Sequence, residues 1–428
     1  TTSNSTRWRK MDDFFSKLEA TVVNSAEYFI SRQEKNSSDY PFIDTKFNIR
    51  TGKDFDNSCE EFRRRDCIYG WIQGRGIESM AVHAAFFAGQ GNSELANRFK
   101  KQLKHTVSAL EQLRLSNGGR LSFAMTPEGK PRFSAPAKYS NYTDLFYFKG
   151  LCSAALELDD NELFSEAEKL LSKVADDILN RRFGSDQYMF DPANRGKAED
   201  GKFSQGPLMI LLDGTAVTSN WTLAEKLISL ITDKHLNNGK FPELPSGCFV
   251  ESLKADDTPW IESDDRIICD PGHALEFTGL AAKNLVSMRS IAKHRDFVSK
   301  ISPVLAELFC RVYDIGLQEN SGVIKSYDLK KGEIVNSDAP WWSLPEAIRA
   351  AVLLAELVPD MRVELLRRAQ ILAGRFESVY ISQGTNFFAC QMCNSEGKAV
   401  DVIPAVPDAD PLYHTNLSLI DALACKTQ

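Results

Sequence analysis

Long apolar runs are missing from this 428-residue chain. Nothing approaches the roughly twenty consecutive apolar residues that a membrane-crossing helix needs, so no membrane span is expected. A surplus of positive charge is missing too. The formal net charge is −7 and the isoelectric point is near 5.6. That balance argues against nucleic acid as the main partner and fits a weakly charged small molecule. The run Arg63-Arg64-Arg65-Asp66 has no glycine-rich phosphate loop beside it and reads as solvated or ion-paired. Cysteine is present nine times, an odd number scattered through apolar stretches, which makes no disulfide framework. A reducing compartment is therefore expected. Residues Thr1 to Lys10 are polar and do not read as a signal peptide, so the expected location is cytoplasmic. The chain starts without Met, and removal of a leader or tag is expected. Cys390-Gln-Met-Cys393 is a lone C-x-x-C with neither a second pair nor a histidine near it in sequence, so no metal is expected there.

What is present is helical spacing. The hydrophobic share of 43% and the charged share of 25% are those of an ordinary globular chain able to bury a large core. About twelve helical segments can be marked from apolar periodicity, with almost no long strand. The third, fifth, ninth and eleventh are amphipathic. The fourth, sixth, eighth and tenth are apolar nearly all round, as buried helices are. The buried set begins near residues 64, 140, 204, 271, 341 and 412, a repeat of roughly 65 to 75 residues and longer than a usual solenoid unit. Six helical hairpins with inner and outer members predict an all-α fold. It would be a single (α/α)6 barrel over 1–428, with short β-hairpins in the loops; a superhelical solenoid is the alternative. Long polar loops precede the inner helices at 36–61, 117–138, 183–204, 237–269 and 384–411. In a barrel they would meet at one rim and form a pocket.

The helix starts carry the chemistry. Asp270-Pro271-Gly272-His273-Ala274-Leu275-Glu276 opens the eighth helix. Proline and glycine mark the entrance, and His273 and Glu276, three apart, share one face. Trp71, Gln73 and Arg75 stand on the second helix, and Tyr142 and Asp144 at the start of the fourth. Trp341, Trp342 and Glu346 open the tenth, and Tyr413 and His414 the last.

These segments resemble the N-acylglucosamine 2-epimerase family. The resemblance rests on 270–276, Ala339-Pro-Trp-Trp-Ser-Leu-Pro-Glu-Ala347, Trp71-Ile-Gln-Gly-Arg75, Tyr142-Thr-Asp-Leu-Phe-Tyr-Phe-Lys-Gly150 and Tyr413-His414. The five occur in the family's order and spacing over most of the chain. The resemblance implies an (α/α)6 barrel and an isomerase that epimerises a reducing sugar at the carbon beside its carbonyl. It makes His273 and His414 the acid/base pair and Arg75 the cation beside the developing enediolate. Glu276, Glu346, Trp341, Trp342, Tyr142, Tyr413 and Gln73 would bind the sugar. It implies no cofactor and no metal, and allows a nucleotide effector and a homodimer. Histidine suits proton transfer because its ordinary pKa lies near neutral pH. The segment Gln205-Gly206-Pro207 lacks the histidine that sugar isomerases and cellobiose epimerases of this superfamily carry there. That favours N-acylglucosamine/N-acylmannosamine interconversion over aldose–ketose isomerisation or cellobiose or mannose 2-epimerisation. The usual basic residue shortly after the last histidine is also missing, with Thr415-Asn416-Leu417-Ser418 in its place.

Other readings stand beside these. His273 could serve only as a helix cap, Arg75 could pair with Asp144 or Glu78, and the two tryptophans could be core. His83, His105, His235 and His294 are expected on outer faces or loops, without a role. A glycoside hydrolase on the same barrel would need two carboxylates across a cleft, drawn from Asp144, Asp270, Glu276 and Glu346. A non-catalytic binding protein is a third possibility, which the intact histidine pair argues against.

Overall fold

The computed structural model describes residues 2–133, 138–185, 199–403 and 407–426, with backbone alone for 2–10. Parts of three expected specificity loops (134–137, 186–198 and 404–406) and the side chain of Trp8 lie outside the described residues. Twelve α-helices account for most of the rest. By its internal contacts the chain forms two compact units. One comprises Thr1–Val23, Asp200–Val402 and His414–Gln428; the other comprises Asn24–Glu199 and Ile403–Tyr413.

The smaller unit contains α2 (Gly70–Gly89), α3 (Ser93–Ser116), α4 (Tyr142–Glu157) and α5 (Asn161–Leu179), with the C-terminal part of α1 (Thr2–Asn36). Helices α2 and α4 pack on each other, with α3 against α2 and α5 against α4. Their backbones approach closely because two glycines face each other. A Cβ on Gly150 would lie 2.2 Å from the Gly74 carbonyl oxygen, and one on Gly74 would lie 2.6 Å from the Phe146 backbone. Nearly every residue of α4 is buried, whereas α5 buries one stripe, as their sequence patterns require. Three short strands, β1 (Ile68–Tyr69), β2 (Ala124–Met125) and β3 (Pro131–Arg132), form an antiparallel sheet in this unit.

The larger unit holds α6 (Gly206–Val217), α7 (Trp221–His235), α8 (Pro271–Met288), α9 (Arg295–Gly316), α10 (Ser343–Leu357), α11 (Arg362–Arg375) and α12 (Ser418–Leu423). Apolar helices α6, α8, α10 and α12 pack successively side by side. Amphipathic α7, α9 and α11 each cover the apolar helix that precedes them. Strands β4 (Phe203–Ser204) and β5 (Ser252–Leu253) pair, as do β6 (Ile268–Cys269), β7 (Ser326–Asp328) and β8 (Glu333–Asn336). Strand β9 (Ala339–Pro340) pairs with β10 (Met392–Cys393). Five helices start on an Asn or Asp whose side chain accepts the third amide of the helix: Asn92, Asn141, Asp160, Asn220 and Asp270.

Three expectations need correction. The second helix starts at Gly70, not near residue 64, because Ile68 and Tyr69 are drawn into pairing with β2. The loop expected at 384–411 carries one named strand among its described residues, β10, which pairs with β9 rather than with a second strand of the loop. His83, His235 and His294 are buried rather than on outer faces. His83 lies in α2, its ring stacked 5.0 Å from Phe99, and burial lowers its pKa to about 4.

Candidate active site

Asp270 caps α8 by accepting the His273 amide at 3.2 Å, and Pro271 occupies the first turn. That fixes His273 as the third residue of the helix, with 31% of its side chain exposed, so the ring is anchored yet reaches solvent. Its Nδ1 lies 3.0 Å from Glu251 Oε1 and 3.4 Å from Asp270 Oδ2. Lys325, beside β7, donates to the same Asp270 oxygen at 2.7 Å. Burial opposes charging His273, but Asp270 and Glu251 outweigh it and hold the imidazole up to about 9. Asp270 is itself lowered: its burial is overcome by His273 and Lys325.

Strand β9 delivers Trp341 and Trp342 to the start of α10. The Trp342 indole stacks on His273, with ring centroids 5.4 Å apart at 27°, and faces His414 at 5.7 Å. Trp341 meets His414 edge-on at 6.2 Å. Gly272 makes room for this: a Cβ there would sit 2.8 Å from the Trp342 ring.

His414 lies in a π-helical turn, Tyr413–Leu417, just after Leu412, whose φ is +63°. A leucine in the left-handed region and a π turn are both costly, and both concentrate at functional positions. His414 Nδ1 is 2.9 Å from Glu346 Oε1 and 4.0 Å from Glu276 Oε1. Arg349, one turn after Glu346, donates to the other Glu346 oxygen and lies 3.4 Å from Asp421. Glu276 is pushed up to about 7, first by burial and then by Glu346. Donor atoms of Glu276, Glu346 and His414 lie within 4.8 Å of one another and could together hold a cation. Arg349 already supplies positive charge to that group.

The smaller unit presents a second cluster. The Arg75 guanidinium lies 4.2 Å over Phe146, with Tyr413 at 5.4 Å and Trp71 at 5.6 Å. Lys149, fully buried, donates to the Tyr413 hydroxyl at 2.6 Å and pairs with buried Glu78 at 2.6 Å. Tyr142 packs on Trp71 at 5.2 Å. Both ends of the buried Gln73 amide engage the Ile43 backbone, which ties the loop to α2. Asp144 is held by Arg120 and by the Asn141 capping box, and Glu78 pairs with Lys149.

Six of the ten expected site residues thus gather in the larger unit: His273, Glu276, Trp341, Trp342, Glu346 and His414. Gln73, Arg75, Tyr142 and Tyr413 lie in the smaller one. Sequence reasoning missed Glu251, Lys325, Arg349 and Lys149. The i, i+3 spacing of Glu346 and Arg349 was a usable signal. Glu251 and Lys325 come from loops with no periodic pattern.

No protein-family model matches the sequence, and neither does any curated protein. Solved structures do. A cellobiose 2-epimerase from Bacillus thermoamylovorans aligns at a TM-score of 0.69 and 12% identity, covering 96% of this chain and 99% of that one. A cellobiose 2-epimerase from Spirochaeta thermophila gives 0.67 and 15%, covering 97% of each. A D-mannose isomerase gives 0.66 and 16%, covering 94% and 97%. The fold class is the (α/α)6 barrel. The all-α expectation, with short hairpins in the loops, therefore stands. No helix among the described residues is long and apolar enough to cross a membrane.

Proposed function

We propose that this chain is a sugar 2-epimerase that interconverts an N-acylglucosamine and its N-acylmannosamine epimer. A related reducing sugar is the nearest alternative, and aldose–ketose isomerisation the nearest alternative reaction. The observation that carries the reading is that both imidazoles lie against one indole, each with Nδ1 engaged by a glutamate. A carboxylate at Nδ1 fixes ring and tautomer, so the proton exchanged with substrate is the one at Nε2.

In the open-chain sugar the C1 carbonyl acidifies the C2 proton. One imidazole removes that proton and an enolate forms across C1 and C2, its charge on the C1 oxygen; a sugar with a C2 hydroxyl would give an enediolate instead. The other imidazole then protonates C2 from the opposite side, and the roles reverse in the back reaction. His273, held up to about 9, is charged at neutral pH and is suited to be the donor when the sugar arrives. Glu276, near half-protonation at neutral pH, can donate to or accept from a sugar hydroxyl. The stacked rings offer flat faces to a sugar. Arg75 is assigned the place beside the developing C1 oxyanion on the family resemblance.

The test is proton exchange in heavy water, using N-acetylglucosamine, N-acetylmannosamine, mannose, glucose and cellobiose. Deuterium should enter C2 of an N-acetylhexosamine, and His273→Asn and His414→Asn should each abolish turnover. Absence of exchange with every sugar would overturn the assignment. Exchange confined to mannose or glucose would replace the substrate.

A further inference from the structure

The Cys390-Gln-Met-Cys393 segment plays no part in the proton-transfer chemistry. Its two sulfurs lie 3.5 Å apart and both residues are buried. That separation is non-bonded contact, since a disulfide bond is about 2.05 Å long. No third His, Cys, Asp or Glu among the described residues joins them in a cluster that could hold a metal. The Gln383 side-chain amide donates to Cys393 Sγ at 3.8 Å.

The segment is tied directly to the tryptophans. Cys393 pairs with Ala339, and Met392 with Pro340. The Trp341 amide donates to the Gln391 carbonyl at 3.2 Å. The Tyr380 hydroxyl donates to the Ala339 carbonyl at 2.9 Å, and the Tyr380 carbonyl accepts from the Cys390 amide at 3.0 Å. The two residues between the cysteines are therefore the ones that grip the strand leading into Trp341 and Trp342.

We propose that Cys390 and Cys393 are an oxidation site, a dithiol that hydrogen peroxide converts to a disulfide and that a small-molecule thiol reduces back, and that closure shifts Trp341 and Trp342 against the histidines. The Cys393 thiolate attacks the peroxide. An S–O bond forms, the O–O bond breaks, and the hydroxide released takes up a proton as water. Cys390 sulfur then attacks Cys393 sulfur, forming S–S and breaking S–O. The second hydroxide leaves as water with the Cys390 proton. The thiols lose two electrons and the peroxide gains them. Closing the gap draws the sulfurs together by roughly 1.5 Å, set by disulfide geometry. The strain falls on Gln391 and Met392, and so on the β9–β10 pair.

The full-length protein is treated with hydrogen peroxide, capped with a thiol reagent and peptide-mapped. The expected product is a 390–393 bridge, a loss of two hydrogens reversed by dithiothreitol, with the other seven cysteines capped. Indole emission should change on oxidation and return on reduction. That change should be absent in Cys390→Ser and greatly reduced in Trp341→Phe. Oxidation of Cys393 to sulfinic acid without a bridge, or faster bridging elsewhere, would overturn the site. A bridge with unchanged emission would overturn the coupling. If Cys390→Ser does not fold, Cys390→Ala and the untreated protein serve as references. Emission is read without any sugar, so the outcome is independent of the epimerase assignment.

Discussion

The imidazole of His273 stacks on the indole of Trp342, centroids 5.4 Å apart, and Gly272 is what admits the indole. An added Cβ would approach the ring to 2.8 Å, and Trp342 is only 8% exposed, so it has little room to retreat. Gly272→Ala should therefore destabilise the protein by about 1–3 kcal/mol through overpacking. Urea unfolding measures this. In a Trp342→Phe background the smaller ring leaves the space vacant, and the same substitution should cost less than half as much. Equal costs in both backgrounds would show that the ring contact is not the cause.

The Glu251 contact predicts a titration. Glu251→Gln keeps the shape but removes a carboxylate 3.0 Å from His273 Nδ1. The His273 pKa, raised to about 9 in the native protein, should fall toward 6.5. Imidazole proton resonances read it directly. The sign for stability follows from the raised value. The native chain binds the His273 proton more tightly than the unfolded chain, so the stabilisation is full below about 6.5 and is lost as pH rises through about 9. The stability gap between wild type and variant should be widest near pH 6 and close by pH 10. A gap independent of pH would mean that Glu251 acts only by packing.

Helix number and the inner–outer alternation were legible because burial leaves a composition signature: α4, α6, α8 and α10 are apolar all round. The Asp270-to-Glu276 stretch was legible because cap, proline and spaced polar residues each have a local cause. The start of α2 was not, because pairing of Ile68–Tyr69 with Ala124–Met125 is a long-range event. Glu251 and Lys325 were invisible for the same reason. Each meets Asp270 or His273 only after 22 or more residues of chain have folded back. Arg349 was readable from its spacing to Glu346 and was passed over because the run around it is apolar.

Arg349 predicts the most costly substitution. It is buried, and it is the cation that holds Glu346, which in turn holds His414. Arg349→Met removes the cation and leaves a carboxylate out of water. Breaking a buried pair from one side costs about 3–5 kcal/mol. The double variant Arg349→Met/Glu346→Gln removes both charges and should recover at least half of that loss in urea unfolding. A double variant no more stable than the single would show that the pair's charge is not what matters.

Glu276 predicts the pH dependence of stability on the acid side. Its carboxyl sits at about 7, against an ordinary 4.5, because it is buried beside Glu346. The native chain therefore binds that proton more tightly than the unfolded chain does. Stability is favoured below pH 4.5 and declines as pH rises to about 7, where the carboxylate must be carried uncompensated by water. Glu276→Gln cannot ionise and should lack this part of the decline. Its melting temperature should fall less than the wild type's between pH 5 and pH 8, and the two curves should converge at the acid end. The same variant separates two roles in catalysis. If Glu276 only hydrogen-bonds a sugar hydroxyl, the amide should raise KM and leave the shape of the kcat pH profile intact. If its proton also controls His414, 4.0 Å away, the profile should lose an inflection near 7. Parallel melting curves for the two proteins across that pH range would remove the basis for the raised carboxyl.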